Sequence, residues 1–227
     1  MDSAASELRL VLAVSLDGRL APPRGGAAQL GGPGDRQVLE EALAWADASL
    51  IGAGTLRAHR CTCLIRDAHL LNQRALQERS AQPVAVVVSR QCNFSTDWPF
   101  FQQPLHRVLL GPKPAQSGFE GWVEHRSSWT ASLARLHQQG RSKVVVLGGA
   151  HLTTSLLAAD CIDELQLTLT PRLLGGNHCW LPVETPFATT LPQGLADSQA
   201  WALTESRPLG GDELLIRYRR LRRLGNH

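Results

Sequence analysis

KVVVLGGAHLTTSLLAA, residues Lys143 to Ala159, is the stretch whose reading decides the fold. Val144 to Leu147 is an apolar, mostly β-branched run, the composition of a strand covered on both faces. Gly148-Gly149 breaks the run, and from Leu152 to Ala158 the apolar residues recur at helical spacing. A strand that passes through a glycine turn into a helix leaves the helix's first N–H groups unpaired at the positive end of its dipole. With no Cβ at 148 or 149, an anion can approach this backbone closely, so the turn suits a phosphate or pyrophosphate. The same pattern also describes a tight strand-to-helix turn that binds nothing.

Working outward, Arg9 to Val14, Ser49 to Ile51, Pro83 to Ser89, His106 to Leu110 and Gly121 to Glu124 read as further strands. Arg36 to Ala46 and Trp129 to Gln139 carry helical apolar faces, and Gly140 stops the second. The Pro- and Gly-rich segment Ala21 to Gly34 is a long loop, of the kind that usually serves function, and Asp35 after it stands where a helix cap belongs. Leu56 to Arg66 is ambiguous, and Leu70 to Glu78 is a surface helix or irregular. Past the glycine turn, Ile162 to Leu169 alternates as a half-buried strand, and Trp201 to Ser206 pairs with Glu213 to Tyr218. Strands alternate with helices early and give way to strands alone late. The fold class is therefore α/β, a mostly parallel mixed central sheet flanked by helices, with antiparallel strands at the C-terminal edge.

At 227 residues one domain, 1–227, is expected. A net charge of +3 is too small for a phosphate-tracking surface, so no nucleic acid is expected as a partner. The one basic cluster, Arg217, Arg219, Arg220, Arg222 and Arg223, reads as the solvated outward face of a last strand and its tail. Leu10 to Val14 is too short for a signal or membrane segment, so a cytoplasmic protein without a membrane partner is expected. The five cysteines are odd in number and irregularly spaced, which argues against a disulfide framework. Cys61 and Cys63, between His59 and His69, lack the two well-spaced ligand pairs of a zinc site, so no metal is expected.

Four stretches in this order carry a resemblance: LAVSLDGRLA (Leu12 to Ala21), SLIGAGTL (Ser49 to Leu56), VVLGGAHLTTSLL followed by IDELQL, and TPRLLGG (Thr170 to Gly176). The chain resembles the reductase domain of riboflavin biosynthesis (RibD C-terminal domain-like), whose fold is similar to dihydrofolate reductase. The resemblance runs over nearly the whole chain, and with no deaminase domain before it the chain looks like a stand-alone reductase. It implies NADPH as hydride donor, a ribosylaminopyrimidine 5′-phosphate as acceptor with its ribosyl group reduced to ribityl, and a homodimer. The late strands IDELQLTL and ELLIRYR offer apolar faces near an edge that a second copy would cover.

Carried over residue by residue, the resemblance assigns Gly54 and Thr55 to a cofactor-contacting turn and Ser89 to the adenosine side. Arg90 beside it meets a 2′-phosphate. Gly148, Gly149, Ala150, His151 and Leu152 match the pyrophosphate turn. The substrate half departs from the family. Its acidic pair and proline after GAGT are replaced within Arg57 to Leu64, its Glu before the glycines is Leu147, and its substrate loop reads Gln29-Leu30-Gly31-Gly32. Asp35 and His59 are the candidate proton donors, and Asp35, Arg36 and Arg60 the candidate substrate contacts. Asp35 is equally a helix cap, and His59 equally a surface residue. Three activities fit: the pyrimidine reductase, a same-fold reductase of another carbonyl, imine or pteridine-like acceptor, and a nucleotide-binding protein without chemistry.

Overall fold

β-branched runs separated by helices build one sheet in the computed structural model, which describes residues 6–26, 28–113, 118–125, 128–181 and 191–222. Its strands are β1 (Glu7–Ser15), β2 (Ala48–Gly52), β3 (Val84–Val88), β4 (Arg107–Gly111), β5 (Gly121–Glu124), β6 (Lys143–Val146), β7 (Glu164–Thr170), β8 (Trp201–Gly210) and β9 (Glu213–Arg220). The helices are α1 (Pro33–Trp45), α2 (Ala53–His59), α3 (Ala68–Leu76), α4 (Pro99–Gln102), α5 (Trp129–Gln138) and α6 (Ala150–Ala158). Strand order is β5-β4-β3-β2-β6-β1-β7-β9-β8. Every pair from β5 to β7 is parallel, and β7–β9 and β9–β8 are antiparallel, as the fold class requires.

The chain steps from β1 over a gap to β2, runs outward to β5, and returns to place β6 in the gap. Helices therefore cover opposite faces. α5 and α6 bury Trp129, Leu133, Leu136, Leu152 and Leu156 against Leu8, Leu10, Leu12, Val144 and Val146. On the other face Ala42 and Leu43 of α1, with Ala46 just after it, close over Val11 and Val145. Where strand direction of travel reverses, the carboxyl ends of the strands leave a crevice, and β6 with its glycine turn ends in it.

Several boundaries differ from the sequence expectation. Helix α1 begins at Pro33, so Asp35 lies in its first turn and is not its cap. Proline presets the φ of a first helical residue, and the capping position falls to Gly32, whose N–H is taken by Glu213 Oε1 at 2.6 Å. The ambiguous Leu56 to Arg66 segment is helical to His59, then turns at Arg60 with φ 55°. Arg223, in the tail expected to be solvated, and residues 114–117 and 182–190 lie outside the described residues.

The larger correction concerns β7 and β9. The polar side of β7 is not solvated: Gln166, Thr168 and Thr170 are all buried. Gln166 Nε2 donates to Val38 O at 3.1 Å, and Thr170 Oγ1 to Val14 O at 3.2 Å. Of the β9 arginines Arg219 is exposed, as expected of an outward charged face, but Arg217 and Arg220 are not. Arg217 pairs with Glu164 at 3.1 Å and Glu205 at 2.6 Å, and Arg220 with Asp160 at 3.0 Å. Buried polar groups persist only when each finds a partner, and here α1 and its neighbours supply them.

No glycine or side-chain cap closes α1 at its C-terminus; two arginines do. Arg74, 2% exposed, donates Nε to Ser80 O at 2.7 Å and Nη1 to Ala44 O at 2.9 Å and Ala46 O at 2.8 Å. Arg79 reaches Ala44 O at 2.9 Å and Asp47 Oδ1 at 2.8 Å. Burial first, then the like charge of Arg79, lower the Arg74 guanidinium to about 10, still charged at neutral pH. Arg74→Met should therefore fold but lose about 2–4 kcal/mol in urea unfolding, because the last carbonyls of α1 are left buried and unpaired. A loss below about 0.5 kcal/mol would show that Arg79 alone closes the helix.

Candidate active site at the carboxyl ends of the parallel strands

Gly148 and Gly149 have φ of 82° and 95°, in the left-handed region that favours glycine. A Cβ on Gly148 would lie 2.6 Å from Leu12 Cδ2, and one on Gly149 2.7 Å from Thr55 Oγ1. Neither space is free for a side chain. Gly149 occupies the capping position of α6 without any side-chain cap, so the N–H groups of Ala150, His151 and Leu152 lack intrahelical acceptors. Ala150 is half-buried, His151 exposed and Leu152 buried in the core.

The end of β2 abuts this turn. A Cβ on Gly52 would lie 3.6 Å from Leu152 Cβ, so Gly52 brings the start of α2 against the start of α6. Gly54 faces open space, and Thr55 directs its hydroxyl at the Gly149 backbone. The structure thus brings Gly54 and Thr55 together with Gly148 to Leu152 at the carboxyl ends of β2 and β6. At the neighbouring end of β3, Ser89 is buried and accepts the Gln91 N–H at 3.2 Å, while Arg90 is exposed.

Across β1 and β7, the start of α1 forms the other wall. Asp35 is half-buried, with the Thr168 hydroxyl as its hydrogen-bonding neighbour. Burial pushes its carboxyl above the ordinary aspartate value; Thr168 opposes this, and the Glu213 carboxylate adds to it. Arg36 stands beside it, but its head is taken by Glu40 Oε1 at 2.6 Å and Leu64 O at 2.7 Å. His59 and Arg60 are exposed at the far end of α2, where the Arg60 carbonyl accepts the Phe100 N–H of α4 at 2.9 Å. Leu147 is packed with Leu39, Leu43 and Cys63, so the wall between the two halves is apolar.

Sequence reasoning passed over Thr168, Glu213 and Asp17. Thr168 sits on the β7 face read as solvated, and Glu213 is brought in from far along the chain. Asp17 had a signal in its SLDG turn. Its carboxylate accepts Leu174 N–H at 3.1 Å, Gly175 N–H at 2.7 Å and the Ser15 hydroxyl, tying the loop after β1 to the segment after β7. Leu20 N–H to His178 O at 2.8 Å and Trp180 N–H to Gly18 O at 3.1 Å extend the tie. The Ser15 hydroxyl first, then the Gly175 and Leu174 N–H groups, hold Asp17 down at about 2. A depressed carboxylate stabilises fully above its ordinary value of 3.8 and loses that contribution as pH falls through about 2. Carbon-13 NMR should therefore show Asp17 titrating near 2, with the Leu174 and Gly175 amides moving in step. An Asp17 midpoint near the ordinary value would contradict the tie.

The family model described as RibD C-terminal domain matches residues 7–212. The 2,5-diamino-6-ribosylamino-4(3H)-pyrimidinone 5′-phosphate reductase of Archaeoglobus fulgidus is 25% identical over 178 residues, 73% of this chain and 80% of that protein. The riboflavin biosynthesis protein RibD of Haemophilus influenzae is 28% identical over 225 residues, 90% of this chain, which spans 56% of that protein. A dihydrofolate reductase from Enterococcus faecalis, solved in complex with NADP(H), shares the fold with a TM-score of 0.57 and 11% identity, covering 95% of this chain and 97% of that one.

Proposed function

The chain belongs to the RibD C-terminal domain family, and from that membership we propose that it is an NADPH-dependent pyrimidine reductase of riboflavin biosynthesis. Its acceptor in this reading is a ribosylaminopyrimidine 5′-phosphate, as the name of the archaeal relative states for that protein. The observation that carries the proposal is the glycine turn, Gly148-Gly149, where Leu12 and Thr55 leave no room for side chains and the first N–H groups of α6 have no side-chain cap.

That uncapped helix start suits a dinucleotide. The first N–H groups of α6 and the Thr55 hydroxyl are donors suited to a pyrophosphate. Ser89 lies on the adenosine side, and the exposed Arg90 guanidinium supports a preference for NADPH over NADH through the 2′-phosphate. When bound, the cofactor supplies the hydride that reduces the imine carbon of the opened ribosylamine. What remains for the chain is to orient that carbon, exclude water and deliver a proton to the imine nitrogen. Asp35 is the residue suited to the last task, since its raised, half-buried carboxyl sits among Thr168, Glu213 and Gly31. Asp35 here replaces His59, which is exposed at the other end of α2.

A second reading, a same-fold reductase of an acceptor without the phosphoribosyl group, is favoured by Arg36, whose head is already engaged by Glu40 and Leu64. We also read the protein as cytoplasmic and as a homodimer, its partner covering the exposed Leu203 and Leu214 of β8 and β9.

NADPH oxidation with the pyrimidine phosphate, set against a panel of other carbonyl and imine acceptors, separates the two readings. Gly149→Asp tests both at their shared root. Like charges about 4 Å apart repel by roughly 4 kcal/mol at an effective dielectric of about 20, so NADPH affinity should fall about a thousandfold. Circular dichroism must accompany the titration, because the φ of 95° at Gly149 strains any side chain. Undiminished binding by a folded Gly149→Asp protein would sink the cofactor site.

A further inference from the structure

The loop before α1 is built around two carboxylates that come from different ends of the chain. A Cβ on Gly31 would lie 2.0 Å from Asp35 Oδ2, and one on Gly32 3.3 Å from Glu213 Oε1. A Cβ on Gly34 would lie 2.2 Å from the Leu209 carbonyl at the end of β8. The glycines of this loop therefore let the β8–β9 hairpin press onto the first turn of α1. Glu213, 7% exposed, meets that turn through its Oε1, which accepts the Gly32 N–H at 2.6 Å. A buried carboxylate used only to hold a loop is costly, and a neutral acceptor would serve that purpose with less desolvation.

We propose that Glu213 is a positioning residue for the proton donor Asp35. Its carboxylate pins the Gly31–Gly32 backbone against which the Asp35 carboxyl rests, and its charge favours the protonated form of that carboxyl. This rests on the reading of Asp35 given above and adds a residue that no motif of the chain marks. The groups facing Asp35 are Thr168 from β7, Glu213 from β9, Arg36 from α1 and the Cys63 thiol from the segment after α2. Thr168 and Arg36 favour the ionised form, and Glu213 and burial favour the protonated one. Of these, Glu213 alone both opposes ionisation by charge and holds the backbone beneath the carboxyl.

Glu213→Gln separates charge from geometry, because the amide oxygen still accepts the Gly32 N–H. In protein labelled with carbon-13 at aspartate carboxyls, with Asp35→Asn assigning the signal, the Asp35 midpoint should fall in Glu213→Gln. Thr168→Val, isosteric and on the opposite side, should raise it. With NADPH and the pyrimidine phosphate, the alkaline limb of the kcat profile in Glu213→Gln should move to lower pH by the same amount, at nearly constant KM. Each unit moved is about tenfold in kcat above the midpoint. Glu213→Ala also loses the acceptor, so its KM should rise as well. An Asp35 midpoint equal to wild type in folded Glu213→Gln overturns the proposal. If instead Asp35→Asn turns over like wild type, the proton-donor reading fails, and with it the catalytic half of the proposal. The NMR midpoint alone then decides the electrostatic half.

Discussion

Everything at the carboxyl ends of the strands depends on the chain passing between Leu12 and Thr55 without side chains. Contacts of 2.6 and 2.7 Å to hypothetical Cβ atoms mean that β6 can turn into α6 here only through Gly148-Gly149. If the turn were wider, α6 would shift along the sheet and its Leu152 and Leu156 would leave the cluster that holds β1, β2 and β6 together. The same narrowness strips the helix start of any side-chain cap. A packing constraint thus generates the chemistry, because the uncapped N–H groups of a helix in a crevice suit an anion.

The opposite wall is made by a different device, a series of ion pairs that runs from buried Glu164 to the partly exposed Arg207 and Glu41. Arg9 pairs with Glu164 at 2.7 Å, Glu164 with Arg217 at 3.1 Å, Arg217 with Glu205 at 2.6 Å, Glu205 with Arg207 at 2.7 Å and Arg207 with Glu41 at 3.0 Å. Partly exposed ion pairs add little stability one by one, and what the series constrains is register. Each charge meets its partner only if β7, β9 and β8 align with α1. That alignment delivers Thr168 and Glu213 to Asp35. Two walls of contrasting character, one donor-rich and backbone-lined, the other acidic, face each other across apolar Leu147 and Cys63.

Much of this is legible in the residues. The run Val144 to Val146, the glycine pair and the helix after it form the elements expected of them, because local composition and burial agree there. The parallel core and the late antiparallel strands follow from element order. Misreadings fall where a pattern says that two faces differ without saying what covers each. ELQLTLT alternates, and nothing local tells that α1 lies over its polar side. Asp35 precedes an apolar run as a cap does, yet Pro33 starts the helix sooner. Glu213 and Gly32 meet across 181 residues of chain, a contact that no local signal carries. His59 and Arg60 stand out in the sequence as polar groups near strand ends, and the structure leaves both exposed at the far end of α2.

The central claim is that the helix start behind Gly148-Gly149 holds the cofactor's pyrophosphate. Nitrogen-15 amide spectra recorded while NADPH is added test it most directly, since they report each N–H separately and need no substrate. The account predicts saturable shifts that are largest at Gly149, Ala150, His151 and Leu152, with Thr55 next and the amides of β8 and β9 still. Saturable binding that left those four amides unmoved and shifted another part of the chain would contradict it.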